Sequence, residues 1–181
     1  MQQRKKETTI ASNNAPPPVL RRAYIGLGAN QGDVMAGLNA AVVALRSIER
    51  SNFVAISPFY RSTPIDANGP DFTNAVLALD TALEPYSLFL HLADIELMLG
   101  RKRRASDTQH SAPRSIDLDL LLVGNLIVRS TPLVLPHPRL QQRAFVLRPL
   151  KDLAPDLQIP GYGPVSNLLD QVADQAIEPL A

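Results

Sequence analysis

The order in which hydrophobic spacing changes along the chain constrains its fold more than any other feature. AYIGLGA, Ala23 to Ala29, alternates like a strand and ends in glycines. Asp33 then offers an N-cap, and Leu38, Val42 and Leu45 recur at helical spacing, predicting a helix to about Arg50. FVAISPFYRS, Phe53 to Ser62, reads as a second strand, with Pro58 marking an edge or a bulge. After the loop TPIDANGPD, Phe72 to Asp80 alternates as a third strand. Pro85 opens a second helix, where its missing N–H costs nothing, and Gly100 ends it. Its buried stripe is Leu88, Leu92, Ile95 and Leu99. A polar, basic loop leads into a fourth strand, IDLDLLLVG. The remainder to Pro160 is punctuated by prolines, with a short helix expected around Arg139 to Phe145.

This β-α-β-β-α-β order predicts an α+β ferredoxin-like sandwich: helices on one face of a mainly antiparallel sheet, the other face free for a site. At 181 residues the chain is long enough for one domain with a sizeable core. Residues 1–20 are polar and then proline-rich, and read as a disordered tail before a single domain over 21–181. No apolar run approaches the ~20 residues of a membrane helix. The formal net charge of +1 gives no global field for nucleic acid or an acidic membrane, and neither is an expected partner. The absence of cysteine excludes a disulfide scaffold, a zinc–thiolate site and a thiol nucleophile.

The fourth strand carries two carboxylates in an apolar run. Alternation sends Ile116, Leu118, Leu120 and Leu122 to one face, and Asp117 and Asp119 to the other. The two aspartate Cα atoms are then ~6.5–7 Å apart. Like charges that close call for a cation or a cluster of donors. A solvated edge is the plain alternative, but aspartate is a poor strand former and its repetition favours a metal site. Oxygen-only ligands suit Mg²⁺ rather than zinc. Just upstream lie Arg101 to Arg104 (RKRR) and Arg114. Most basic runs are solvated loops, yet cations and carboxylates flanking one cleft are the parts of a phosphoryl-transfer site. The usual nucleotide motifs are missing: there is no Gly-Lys for a P-loop, and Gly26-Leu-Gly28-Ala-Asn-Gln31 fails the dinucleotide fingerprint at its third glycine. Those glycines instead suit close approach of a loop or ligand to the strand end. His91, His110 and His137 are too scattered to form a metal set.

Several segments together, GLGANQGD, FYRSTP, GPDFTNAV, IELMLGRKR, APRSIDLDLLL and LPHPRLQQRAFVLRPL, occur in an order that resembles the 6-hydroxymethyl-7,8-dihydropterin pyrophosphokinase family. The likeness spans about Ala23 to Pro160. It implies transfer of the pyrophosphoryl group of ATP to the pterin hydroxymethyl group in folate biosynthesis, with two Mg²⁺ ions on Asp117 and Asp119. By the same comparison Arg101 and Arg114 are catalytic-loop arginines. Glu96, Arg103, Arg104, His137 and Arg143 lie on the ATP side. Phe72 and Phe145 would sandwich the pterin ring, Asn74 would bond its edge, and Ser62, Thr63, Pro64 and Ile65 would line the pocket. A cytoplasmic monomer is expected. The chain departs from the pattern at Ser111 and Ala112, where relatives carry Trp-Gly before Pro-Arg, and its basic loop is a few residues longer. A ligand-sensing module and an RNA-binding module of similar topology are the rival readings. Neither accounts for the aspartate pair beside an arginine loop.

Overall fold

The computed structural model describes residues 18–64, 69–100 and 115–180. The main sheet contains β1 (Arg21–Ala29), β2 (Ser51–Ile56), β3 (Tyr60–Ser62), β4 (Phe72–Thr81) and β5 (Asp117–Val123). Helix α1 (Val34–Arg46) lies between β1 and β2, and α2 (Pro85–Met98) between β4 and β5. After β5 come the hairpin β6 (Val128–Ser130) and β7 (Leu133–Leu135), a 3₁₀ turn at Leu140–Gln142, and α3 (Ala144–Leu153). A small ribbon of β8 (Gln158–Ile159) and β9 (Gly163–Pro164) precedes α4 (Val165–Asp170). The last strand, β10 (Ile177–Pro179), returns to the main sheet. The sheet order is β10-β3-β4-β1-β5, with β2 also on β4, and every pairing is antiparallel.

The local signals explain the boundaries. The Asp33 carboxylate accepts from Ala36 N at 3.0 Å and starts α1. That helix stops at Ser47, short of Arg50, which turns with φ 60°. Gly100 stops α2 with φ 86°. The expected strand Phe53 to Ser62 is two strands, because Pro58 cannot donate to the ladder. Ser57 fills the gap: its N donates to Val76 O at 2.9 Å, and its Oγ accepts from Val76 N at 3.0 Å. The expected short helix at Arg139–Phe145 is instead the 3₁₀ turn and the start of α3, separated by the extended Arg143.

Both faces of the sheet are covered in part, which corrects the expectation of a free second face. On one, Ile25, Leu27, Leu77, Leu79, Leu118 and Leu120 pack against Leu38 and Leu45 of α1 and Leu88 and Leu92 of α2. On the other, Tyr24, Val76, Ala78, Leu121 and Leu122 pack against Leu147 and Leu150 of α3 and Leu168 of α4. Each such burial contributes ~1.5–3 kcal/mol before entropy is counted. Leu122 therefore does not share the face of Leu118 and Leu120. The pairing shifts between Tyr24–Leu122 and Ile25–Leu120, so Leu121 is a bulge residue and turns Leu122 over. The aspartates precede the bulge and keep the side of α3. Among the described residues no helix is long and apolar enough to cross a membrane.

Candidate active site

The register across three strands builds the centre of the site. Asp117 of β5 stands opposite Gly28 of β1, and Gly28 stands opposite Asn74 of β4. One step along, Asp119 faces Gly26, which faces Val76. Paired residues share a face, so the carboxylates and the Asn74 amide border one trough floored by two glycines. Two strand spacings separate them, ~10 Å. A Cβ on Gly28 would lie 3.1 Å from Asn74 Oδ1, and one on Gly26 would lie 3.5 Å from the Leu121 side chain. Bare backbone is what keeps the floor low.

The amide is oriented from the far side. Asn74 is buried, and its Nδ2 donates to Ser62 Oγ at 2.9 Å, which turns Oδ1 toward Gly28. Phe72 lies on the same face of β4, two residues before Asn74, and is half-buried. Thr63 is exposed and Pro64 half-buried after β3. Ile65 lies outside the described residues.

Around Asp119 the groups are cationic or neutral donors. Arg143 Nη1 stands 3.8 Å from Asp119 Oδ2, and its side chain is 15 % exposed. Its Cζ also lies 5.4 Å from the centroid of the half-buried Phe145 ring. His137 Nε2 is 4.0 Å from the same carboxylate oxygen. Burial, then the charges of Arg143 and Arg139, push the His137 imidazole down to about 4, against a smaller upward pull from Asp117. The ring is therefore neutral at pH 7, and its contact with Asp119 is not an ion pair. His137 Nδ1 accepts from Arg139 N at 3.3 Å, which leaves the proton on Nε2 as a donor. The His137 backbone N–H bonds Leu121 O at 2.9 Å and ties this segment to the bulge in β5.

Glu96 takes a different position from a surface nucleotide ligand. It is 3 % exposed, and its Oε1 accepts from Leu118 N at 2.7 Å. Leu118 lies between the two aspartates, so this buried carboxylate holds the outer edge of their strand. Arg101, Arg103, Arg104 and Arg114, with Ser111 and Ala112, lie outside the described residues. Two residues that sequence reasoning passed over stand beside the site. Tyr60, opposite Asn74 in the register, donates its hydroxyl to Asp152 of α3, which also meets Arg148 at 3.3 Å. The other is Gln175, bonded to the start of α3. Tyr60 lies in the FYRSTP segment, but nothing local marks its bond to Asp152, and Gln175 carries no local motif.

No group of three or more metal-capable side chains occurs among the described residues. Two carboxylates on one face, with no thiolate or imidazole beside them in sequence, fit a hard cation that takes its other ligands from water and phosphate oxygens. That is the way magnesium accompanies a nucleotide.

The sequence model of the 7,8-dihydro-6-hydroxymethylpterin-pyrophosphokinase family matches residues 24–155, well over half of the chain. The chain belongs to this family. A Pseudomonas aeruginosa 2-amino-4-hydroxy-6-hydroxymethyldihydropteridine pyrophosphokinase is 40 % identical over 163 residues, covering 90 % of this chain and 98 % of the relative. The Methylorubrum extorquens protein of the same name is 43 % identical over 143 residues, covering 78 % and 88 %. Among solved structures, Plasmodium falciparum HPPK-DHPS with pteroate has the same fold, with a TM-score of 0.67 at 12 % identity. The match covers 86 % of this chain and 45 % of that longer one. The chain is thus a pyrophosphokinase, an ATP-dependent transferase of folate biosynthesis that modifies hydroxymethyldihydropterin, with the magnesium dependence of its family.

Proposed function

We propose that the trough between Asp117, Asp119 and Asn74 is where this pyrophosphokinase joins its two substrates. One observation carries the reading: carboxylates and a buried, oriented amide lie on one sheet face, across two glycines. The pterin edge bonds Asn74, and its flat ring lies between Phe72 and Phe145, where offset stacking favours it. Ser62, Thr63, Pro64 and Ile65 line that pocket. Asp117 and Asp119 hold two magnesium ions with the nucleotide. Magnesium held by these two carboxylates would supply positive charge to neutralise the triphosphate. Arg143 lies against both Asp119 and Phe145, where it meets phosphate and the aromatic slot together. Neutral His137 donates Nε2–H to the same region without changing charge near pH 7. Glu96 acts on the nucleotide side through the Leu118 backbone. Arg101, Arg103, Arg104 and Arg114 clamp the phosphates by bidentate contacts, an assignment that rests on the resemblance of their segment. The pterin hydroxyl oxygen bonds the β-phosphorus and releases its proton to solvent, the bond from that phosphorus to the α,β-bridging oxygen breaks, and AMP leaves.

The order β2-β4-β1-β5, with α1 and α2 crossing one face, supports a ferredoxin-like core within a domain over 21–181. We place the enzyme in the cytoplasm as a monomer acting on small molecules. The test is an incubation with ATP, Mg²⁺ and 6-hydroxymethyl-7,8-dihydropterin that resolves AMP from ADP. AMP formed in step with pterin diphosphate is expected. ADP would mean single-phosphoryl transfer. Pterin-induced stabilisation with no nucleotide product would mean a binding module.

A further inference from the structure

The start of α3 carries Arg143 and Phe145, yet its own N-cap residue makes no side-chain capping bond. The cap comes from 31 residues further on. Gln175 Oε1 accepts from Ala144 N at 2.8 Å, and Gln175 Nε2 donates to Gln142 O at 2.8 Å. Ala144 is 2 % exposed, so its N–H has no access to bulk water in place of this partner. Both groups of one amide are thus spent on the two peptides that flank Arg143.

The chain then runs directly into β10. Ile177 pairs with Ser62, Glu178 with Arg61 and Pro179 with Tyr60, and Leu180 N donates to Phe59 O at 2.8 Å. Ser62 is the residue that orients Asn74. A stretch of six residues therefore bonds both walls of the trough. One wall is the helix start with Arg143 and Phe145. The other is the strand edge behind Asn74.

We propose that Gln175 is a positioning residue: with β10 it forms a clasp that sets the spacing between Phe145 and the Asn74–Ser62 pair, and so the fit of the pterin. This rests on the assignment of Phe145 and Asn74 to the pterin. A side-chain amide suits the task, because it accepts and donates in one plane and locks two successive peptides at once. Substitution of Gln175 releases Ala144 N, and the first turn of α3 no longer has a fixed distance from β3. Displacement of a substrate-positioning group by a fraction of an ångström is felt in binding even when the fold is retained.

The experiment compares the full chain with Q175A and Q175E, well below the melting temperature of each. Amide hydrogen exchange at Ala144 reads the clasp without ligand, and steady-state kinetics read its effect. Q175A is expected to lose protection at Ala144 and to raise KM for the pterin about tenfold, with kcat falling by less than that factor. Q175E keeps an acceptor for Ala144 N but loses the donor to Gln142 O and sets a carboxylate oxygen against that carbonyl, so it is expected to keep protection at Ala144 and to raise KM by less than Q175A does. Should Q175A fail to fold, Q175N, which retracts the amide by one carbon, is expected to change KM in the same direction. A folded Q175A with unchanged KM, or with protection at Ala144 intact, would overturn the proposal. Failure of the site assignment looks different: Phe145→Ala and Asn74→Ala themselves leave KM for the pterin unchanged, while Ala144 still responds to Q175A.

Discussion

Arg143 Nη1 stands 3.8 Å from Asp119 Oδ2, while Arg143 Cζ lies over the Phe145 ring. One guanidinium thus lies against both the Asp119 carboxylate, which we assign to the nucleotide, and the Phe145 ring, which we assign to the pterin. The planar group satisfies both contacts, one through its edge and one through its face. Arg143→Ala is expected to lower kcat/KM for MgATP by about ten- to a hundredfold, the loss of one to two charge-assisted contacts. Arg143→Lys restores the charge but not the plane, and is expected to recover only part of the loss. Full recovery by lysine would reduce the role of Arg143 to that of a point charge.

Asp117 and Asp119 share a face, and Arg143 Nη1 lies 3.8 Å from Asp119. Replacement of either by asparagine keeps the shape and removes one charge. Turnover is expected to fall at least about a hundredfold, since the electrostatic centre of the reaction is lost. Stability of the ligand-free chain is expected to stay within ~1 kcal/mol, because both groups are partly exposed. Thermal melts beside assays over a range of Mg²⁺ concentration check both halves. Retained turnover at low Mg²⁺ would remove these aspartates from the metal site.

Gly28 separates Asp117 from Asn74, and a Cβ there would approach Asn74 Oδ1 to 3.1 Å. That is closer than a methyl and an amide oxygen sit comfortably, and Ser62 holds the amide from the other side. Gly28→Ala is therefore expected to shift the amide and raise KM for the pterin about tenfold, or ~1.4 kcal/mol. KM for ATP is expected to change much less. Equal changes in both constants would show a general distortion of β1 instead.

The strands that hold the site were legible because their spacing is strict. The DLD alternation alone places Asp117 and Asp119 on one face, as the register with Gly28 and Gly26 does. The bulge at Leu121 was not legible, since a run of leucines has no period to break, and Leu122 was assigned to the wrong face. Helix α3 was largely missed because Pro149 reads as a breaker. Its burial against Leu147, Leu150 and the sheet outweighs the lost N–H. Glu96 did leave a signal: it lies four residues after Leu92, on the edge of the buried stripe of α2. Gln175 left none. Its partners are Gln142 and Ala144, more than thirty residues away, and no local pattern marks a glutamine that caps a distant helix.

Tyr60 stands opposite Asn74 in the register, is buried, and donates to Asp152 of α3, so it links β3 to the helix that carries Phe145. Burial, and then the hydrogen bond to Asp152, raise its phenol above the usual value near 10, against a smaller downward pull from Arg148. The sign of the pH dependence follows. Below about pH 10 the phenol is protonated in both folded and unfolded chains, and its stabilising contribution is complete. As pH rises past that point the unfolded chain loses the proton first and binds fewer protons than the folded one. Stability then falls with pH until the folded phenol ionises too. Tyr60→Phe removes this alkaline slope. It is expected to cost ~1 kcal/mol at neutral pH through the lost hydrogen bond, with Asp152 still partnered by Arg148. Thermal melts of both chains between about pH 8 and 11 check this. The two curves are expected to converge as pH rises. Parallel curves would mean that Tyr60 ionises no differently in the folded chain than in the unfolded one.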